Sequence, residues 1–406
     1  MRIYFLFILI LLVLTNSAFA GYTYSRAITV QSGQISGGAN LTQFPILVCG
    51  NAASGSCNTA VSNMATVANG GHIQNTTTVN GQTVPADLIF TTDSGCSNKL
   101  TWEVESYKAT TGEFEAWVTN TSTPLAYNTN TTFYMCYGNA AVTTYQSSAS
   151  AVWDSYYVGV WHLSNGTTLS GINTITGASG TLQNGPTAAT GQIDGAGGFT
   201  GNSNQRIDNA NIGNLSNGTP LTVSAWINYT TDNRVEYVFV GQNAANNSAT
   251  ALLWMPGTAG GVSNTYGMTY GTAYKYSSAD LSTGTWTYIV GTEDGSGTSA
   301  GMALYRNAQV ETYFQINTPG SPGESGGTAV IGGRTYDNAR NFDGSIEEVR
   351  VSTIVRSAGW IQTEYNNQSA PTSFYTMGSE TSGGVAATHF STIGGNSTIA
   401  GNSVIN

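Results

Sequence analysis

The chain has 406 residues, a formal net charge of −10 and 8% charged residues, with only 12 Lys and Arg. So little positive charge cannot displace the counterions of a nucleic acid, and that class of partner is excluded. The 50 glycines and 22 tyrosines, among abundant Thr, Ser and Asn, predict an all-β protein, because strong helix formers are scarce.

Residues 1–20 read as a secretory signal. Arg2 supplies positive charge, Ile3 to Leu14 is an almost unbroken apolar run, and Ala18-Phe19-Ala20 is a small-x-small cleavage site before Gly21. The run is too short to span a bilayer comfortably, and no stop-transfer charges follow it. The expectation is a secreted or cell-surface protein, not membrane-spanning, after cleavage near Ala20.

Residues 21–152 are a series of short alternating segments: Tyr24 to Val30, Phe44 to Cys49, Asp87 to Thr92, Thr101 to Tyr107, Phe114 to Val118 and Thr132 to Tyr137. Gly, Asn, Ser and Pro separate them, which predicts a β-sandwich. The four cysteines, Cys49, Cys57, Cys96 and Cys136, all lie here. An even count in an exported chain suggests two disulfides, and three pairings are open. Cys49 and Cys57 flank one short loop, so they are paired here, leaving Cys96 with Cys136. No C-x-x-C or neighbouring His cluster supports a metal site on these thiols. The phrases Ala27-Ile28-Thr29-Val30, Asp87-Leu88-Ile89-Phe90, Trp102-Glu103-Val104-Glu105 and Phe133-Tyr134-Met135-Cys136 together resemble a domain of unknown function found in exported bacterial proteins. That resemblance brings no activity. Glu103 and Glu105 share one face of a strand, expected to be solvated while Trp102 and Val104 pack inward.

Residues 153–378 carry a second set of phrases in order. They include Val158-Gly159-Val160-Trp161-His162-Leu163, Leu221-Thr222-Val223-Ser224-Ala225-Trp226-Ile227, Trp286-Thr287-Tyr288-Ile289-Val290 and Gly344-Ser345-Ile346-Glu347-Glu348-Val349-Arg350-Val351. Their order is similar to that of laminin-G-like, concanavalin-A-like jelly-roll domains. The resemblance implies a two-sheet jelly roll, which the count of short strands also favours. It further implies a fold used both for recognition and for cleaving glycans. Jelly rolls of this type often hold a structural Ca²⁺, and Asp343 and Glu347 stand where the resemblance would place its ligands. The alternative for Asp343 is a plain turn with Gly344. Tyr266, Tyr270, Tyr274 and Tyr276, with Trp254, are candidate sugar-stacking residues; ordinary sheet packing competes with that reading.

Catalytic motifs are weak. Gly323-Glu324-Ser325-Gly326-Gly327 fits G-x-S-x-G, yet it lies in a Pro/Gly-rich loop, and none of His72, His162 and His389 stands in a triad context. The E-x-D-x-x-E pattern of jelly-roll glycosidases is absent. Glu347 and Glu348 are adjacent and should point to opposite faces of their strand. Ser357 reads as the N-cap of a short helix. In residues 379–406, Ile393, Ile399 and Ile405 recur every six residues, a hexad like a β-solenoid turn; the alternative is a disordered tail. The leading expectation is a non-catalytic recognition or adhesion protein that binds a glycan or surface polymer through jelly-roll loops. One alternative is a structural cell-surface protein that self-assembles through its tail. The other is a glycoside hydrolase with a non-standard carboxylate pair.

Overall fold

A computed structural model describes residues 21–163, 168–212, 215, 218–230, 235–242, 249–256, 265–270, 273–278, 280–317, 328–335, 340–383, 389–393 and 397–401. The expected signal at residues 1–20 and the Gly323–Gly327 loop lie outside the described residues.

The fold is almost entirely β. In the N-terminal unit, strands Tyr375–Met377, Tyr24–Val30, Thr131–Tyr137 and Ile89–Thr91 form one sheet, with Thr381–Ser382 also paired to Tyr24–Val30. A second sheet runs Ile46–Gly50, Glu113–Thr119, Thr101–Lys108. Period-two alternation sends Trp102, Val104, Phe114, Ala116 and Val118 into a shared core with Ile28, Phe90 and Phe133. The opposite face of the second sheet carries Glu103, Glu105, Glu115 and Trp117. The disulfides are Cys49–Cys57 and Cys96–Cys136, the two pairs suggested by the spacing, with Cα atoms 5.4 and 6.1 Å apart.

The second unit contains two eight-stranded antiparallel sheets around one core. Strand Gly344–Ser352 sits inside one of them, pairing with Gly195–Phe199, Leu221–Tyr229 and Tyr157–Trp161. In Leu221–Tyr229, alternate residues Val223, Ala225 and Ile227 enter the core between the sheets. Trp226, on the other face, is also buried. It packs beneath helix Ala358–Ser369, where its Nε1–H donates to Gln368 Oε1 at 2.6 Å. Ser357 caps this helix by accepting from Trp360 N at 3.1 Å.

The chain path corrects the expected boundary at residue 378. The helix leads the chain back to the N-terminal unit. Trp360 meets the Phe44 ring at 4.9 Å, and Asn367 bonds both the N–H and the C=O of Leu47. Tyr375–Met377 and Thr381–Ser382, assigned to the jelly roll and the tail by sequence, then extend the N-terminal sheet. Glu380 is anchored there by Tyr137 Oη at 2.7 Å. Beyond it, His389–Ile393 and Ser397–Gly401 pair antiparallel, with Ser391 opposite Ile399. A solenoid would stack its repeats in parallel, so the described part of the hexad forms a hairpin instead.

Candidate functional site

The residues proposed from sequence for sugar stacking are mostly internal. Tyr266 and Tyr270 are fully buried in the jelly-roll core, and the Tyr270 hydroxyl donates to Thr219 O at 3.2 Å. Tyr276 is buried too and stacks on Tyr274 at 4.7 Å between centroids. Tyr266, Tyr270 and Tyr276 thus pack inside the fold, while Tyr274 is half-buried. Trp254 belongs to strand Ala249–Pro256, but its side chain lies outside the described residues. The proposed calcium pair is divided between different partners. Asp343 Oδ1 accepts from Gly201 N at 3.1 Å. Glu347 is buried and accepts from Gln192 N at 2.6 Å and Ile193 N at 3.0 Å. Backbone amides thus bond each carboxyl at a separate place in the fold.

The densest chemistry lies where the two β units meet. Two β-bulges build it. In Thr101–Lys108, Val104 pairs with Ala116 but Ser106 with Glu115, so one extra residue enters at Glu105. In Gly344–Ser352, Glu347 pairs with Trp226 but Arg350 with Ser224, again one residue too many. Glu348 takes φ 53° there. The bulge lets Ile346 and Val349 both enter the core, while Glu347, Glu348 and Arg350 leave it together. The expectation that Glu347 and Glu348 face opposite ways therefore fails. So does that of a solvated Glu103/Glu105 face, since these residues are 6% and 4% exposed.

His162, following strand Tyr157–Trp161 and 6% exposed, is the hub. Its Nδ1 lies 2.6 Å from Glu348 Oε1 and 3.3 Å from Glu105 Oε2, and its Nε2 lies 3.4 Å from Glu103 Oε2. Trp153 Nε1–H donates to Glu103 Oε2 at 3.0 Å and Trp117 Nε1–H to Glu105 Oε2 at 2.6 Å. Thr174 Oγ1 donates to Glu103 Oε1. Arg350 clasps Glu348 Oε2 at 2.5 and 3.0 Å and also bonds Glu364. Its guanidinium lies over the Trp117 and Trp153 rings, at 4.3 and 4.8 Å.

The charges pull in opposite directions. Burial alone would lower the His162 pKa, but Glu105, Glu348 and Glu103 hold the imidazole charged well above its ordinary range. Burial opposes ionisation of Glu103 and Glu348, yet His162, joined by Arg350 at Glu348, keeps both below the usual value. Burial pushes Glu105, Glu115 and Glu347 well upward. It also takes Asp194 up to about 7. Carboxyls pushed upward by burial thus stand beside carboxyls held down by His162 and Arg350. Glu103, Glu105, His162 and Thr174 line a cavity of about 40 Å³, and Gln82, Ser170 and Ile172 connect it to a surface groove of about 480 Å³.

Sequence reasoning quoted Glu103, Glu105 and His162 but missed their union with Glu348, Arg350, Trp117 and Trp153. One signal was available. In a chain with so few charges, Glu residues inside Trp- and Val-rich strands mark a face covered by something else.

Residues 199–362 match the Concanavalin A-like lectin/glucanases superfamily. No curated protein matches the chain. Among solved structures, domain 4 of AbnA, an extracellular arabinanase from Geobacillus stearothermophilus in complex with arabinotriose, is 15% identical over 52% of this chain and 98% of its own, with a TM-score of 0.38. The ligand-binding domain of botulinum neurotoxin serotype D, in complex with N-acetylneuraminic acid, is 18% identical over 54% of this chain and 53% of its own, with a TM-score of 0.39. The SAP-like pentraxin of Limulus polyphemus is 16% identical over 49% and 88%, with a TM-score of 0.33. The match thus spans about half the length of the toxin domain. No helix among the described residues is long and apolar enough to cross a membrane.

Proposed function

We propose that this is an exported, non-catalytic recognition protein that binds a neutral glycan or surface polymer in the groove beside the domain junction. The observation that carries the reading is the groove's chemistry. Its volume of about 480 Å³ falls within the several hundred Å³ typical of ligand sites. Gln82, Thr168, Ser170 and Ser179 offer amide and hydroxyl groups, and Leu182 adds an apolar contact. Such uncharged donors and acceptors suit sugar hydroxyls. The superfamily matched by residues 199–362 includes lectins by its description. The two disulfides and the apolar leader fit an oxidising compartment outside the cell.

A retaining glycosidase needs two carboxyl groups about 5 Å apart flanking the scissile bond. Glu103 and Glu105 stand instead behind the groove, beside a cavity of about 40 Å³, too small for a sugar ring. Electrophoresis through gels containing neutral polysaccharides tests the reading. At least one polymer should retard the full chain, and Gln82→Ala with Ser170→Ala should weaken that binding by about tenfold. Retardation by none, or binding unchanged in the double variant, would sink the proposal. Release of reducing sugar would support the hydrolase alternative.

A further inference from the structure

We propose that the open edge of strand Tyr375–Met377 is a docking site for an extended, uncharged peptide, which adds one strand to the first sheet of the N-terminal unit. That sheet runs in the order Tyr375–Met377, Tyr24–Val30, Thr131–Tyr137, Ile89–Thr91, so the returning segment forms its border. Gly378 N–H donates to Ala27 O at 2.8 Å, and Gln31 N–H to Phe374 O at 2.9 Å. Backbone groups alternate along an antiparallel strand, so Phe374, Thr376 and Gly378 bond inward while Tyr375 and Met377 turn theirs outward. Tyr375 N–H closes on Pro371 O. The Tyr375 C=O and both backbone groups of Met377 have no partner among the described residues.

The neighbouring edge differs. In strand Ile46–Gly50, Leu47 N–H donates to Asn367 Oδ1 at 2.7 Å, and Leu47 O accepts from Asn367 Nδ2 at 3.1 Å. Cys49 N–H and C=O both bond the Tyr375 hydroxyl, at 3.0 and 3.3 Å. Side chains thus cover that edge, and an uncovered one invites a further chain. Tyr375–Met377 contains neither Lys nor Pro to block such pairing. Thr376 is exposed and Met377 half-buried.

The space beside the edge has a volume of about 340 Å³, within the several hundred Å³ typical of ligand sites. An extended peptide presents N–H and C=O groups at the strand rise of about 3.3 Å per residue, which match Tyr375 and Met377 in direction and spacing. Sugar hydroxyls carry no such alternation. Val61, Pro371 and Met377 in the lining suit one apolar side chain of the peptide. Charge decides the rest. Arg26 also lines the groove, is 6% exposed, and already donates to Tyr137 Oη, to Ser62 O and Oγ, and to Gly378 O. Glu380 stands 3.7 Å from it. The cation is thus already matched, and an uncharged occupant fits the groove.

Amide NMR of the full, isotope-labelled chain tests the proposal. The probes are capped five-residue peptides of Ser and Thr around a central Val, Asp or Lys. The Val peptide should shift the Met377 amide and bind about tenfold more tightly than the Asp and Lys peptides. The same Val peptide, methylated on its main-chain nitrogens, should lose binding because it cannot pair with the edge. Met377→Pro removes the outward N–H and no bond to Tyr24–Val30. It should therefore fold and bind the Val peptide about tenfold more weakly, while Met377→Leu binds as the wild type does. No binding of the Val peptide would overturn the proposal. So would equal binding of its methylated form, equal binding by folded Met377→Pro, or displacement of the peptide by a neutral polysaccharide.

Discussion

Arg350→Met is expected to destabilise the protein by about 3–5 kcal/mol, because it removes the cation from buried Glu364 and leaves buried Glu348 with His162 alone. Arg350 is 2% exposed and is the guanidinium that joins Glu348 to Glu364. Methionine occupies similar length but leaves the Glu364 charge without its cation, and Glu348 without one of its two, in a medium that solvates charge poorly. The stacking of the guanidinium on Trp117 and Trp153 is lost with it. Adding Glu348→Gln and Glu364→Gln should restore part of the loss, since the cost lies in unpaired charge rather than in the missing arginine. Urea unfolding at fixed pH measures each variant. A loss under about 1 kcal/mol for Arg350→Met would mean that water reaches the junction and screens it.

Stability should peak on the acid side of neutrality and fall as pH rises. Glu105, Glu115, Glu347 and Asp194 have raised native pKa values. Each holds a proton that the unfolded chain releases near pH ~4, so its contribution is present below that point and is lost as pH rises through the native value. For Asp194, whose native pKa is about 7, the loss between about pH 5.5 and 8 is about 2 kcal/mol. His162 acts in the same direction. Its contribution is full below its ordinary pKa of about 6.5 and disappears as pH climbs through its raised native value. Glu103 and Glu348 act oppositely, because their lowered values add stability above about pH 4.3 that is lost on acidification. The optimum therefore lies between about pH 3.5 and 4.5, because above it the unfolded chain releases protons that four native carboxyls keep. Urea midpoints in EDTA across that range and up to about pH 8.5 measure it. Midpoints that rise toward pH 8 would show that the junction carboxyls are ionised in the native state.

Period-two alternation made much of the fold readable, because a strand half-covered by another sheet must alternate. Leu221 to Ile227 does so, and the Ser357 cap followed from its place before an apolar helical turn. The site was less readable for a physical reason. A bulge adds one residue and sends every later side chain to the opposite face, and nothing at Glu105 or Glu348 announces it. The strict alternation applied to Glu347 and Glu348 therefore failed. Tyr266 and Tyr270 misled in another way. Tyrosine offers a ring for the core and a hydroxyl that can bond a backbone carbonyl, so a run of tyrosines does not distinguish a sugar platform from a packed sheet. The return of residues 375–382 to the first strand rests on contacts more than three hundred positions apart, which local patterns do not encode.

The central claim is that the buried Glu–His–Arg junction makes the two β units one cooperative structure rather than two modules on a linker. Differential scanning calorimetry of the full chain at about pH 5.5 tests it most directly. A single transition, with calorimetric and van't Hoff enthalpies in agreement, is the predicted result, and Arg350→Met should lower its midpoint as a whole. Two separate transitions in the wild type, only one of them moved by Arg350→Met, would contradict the account.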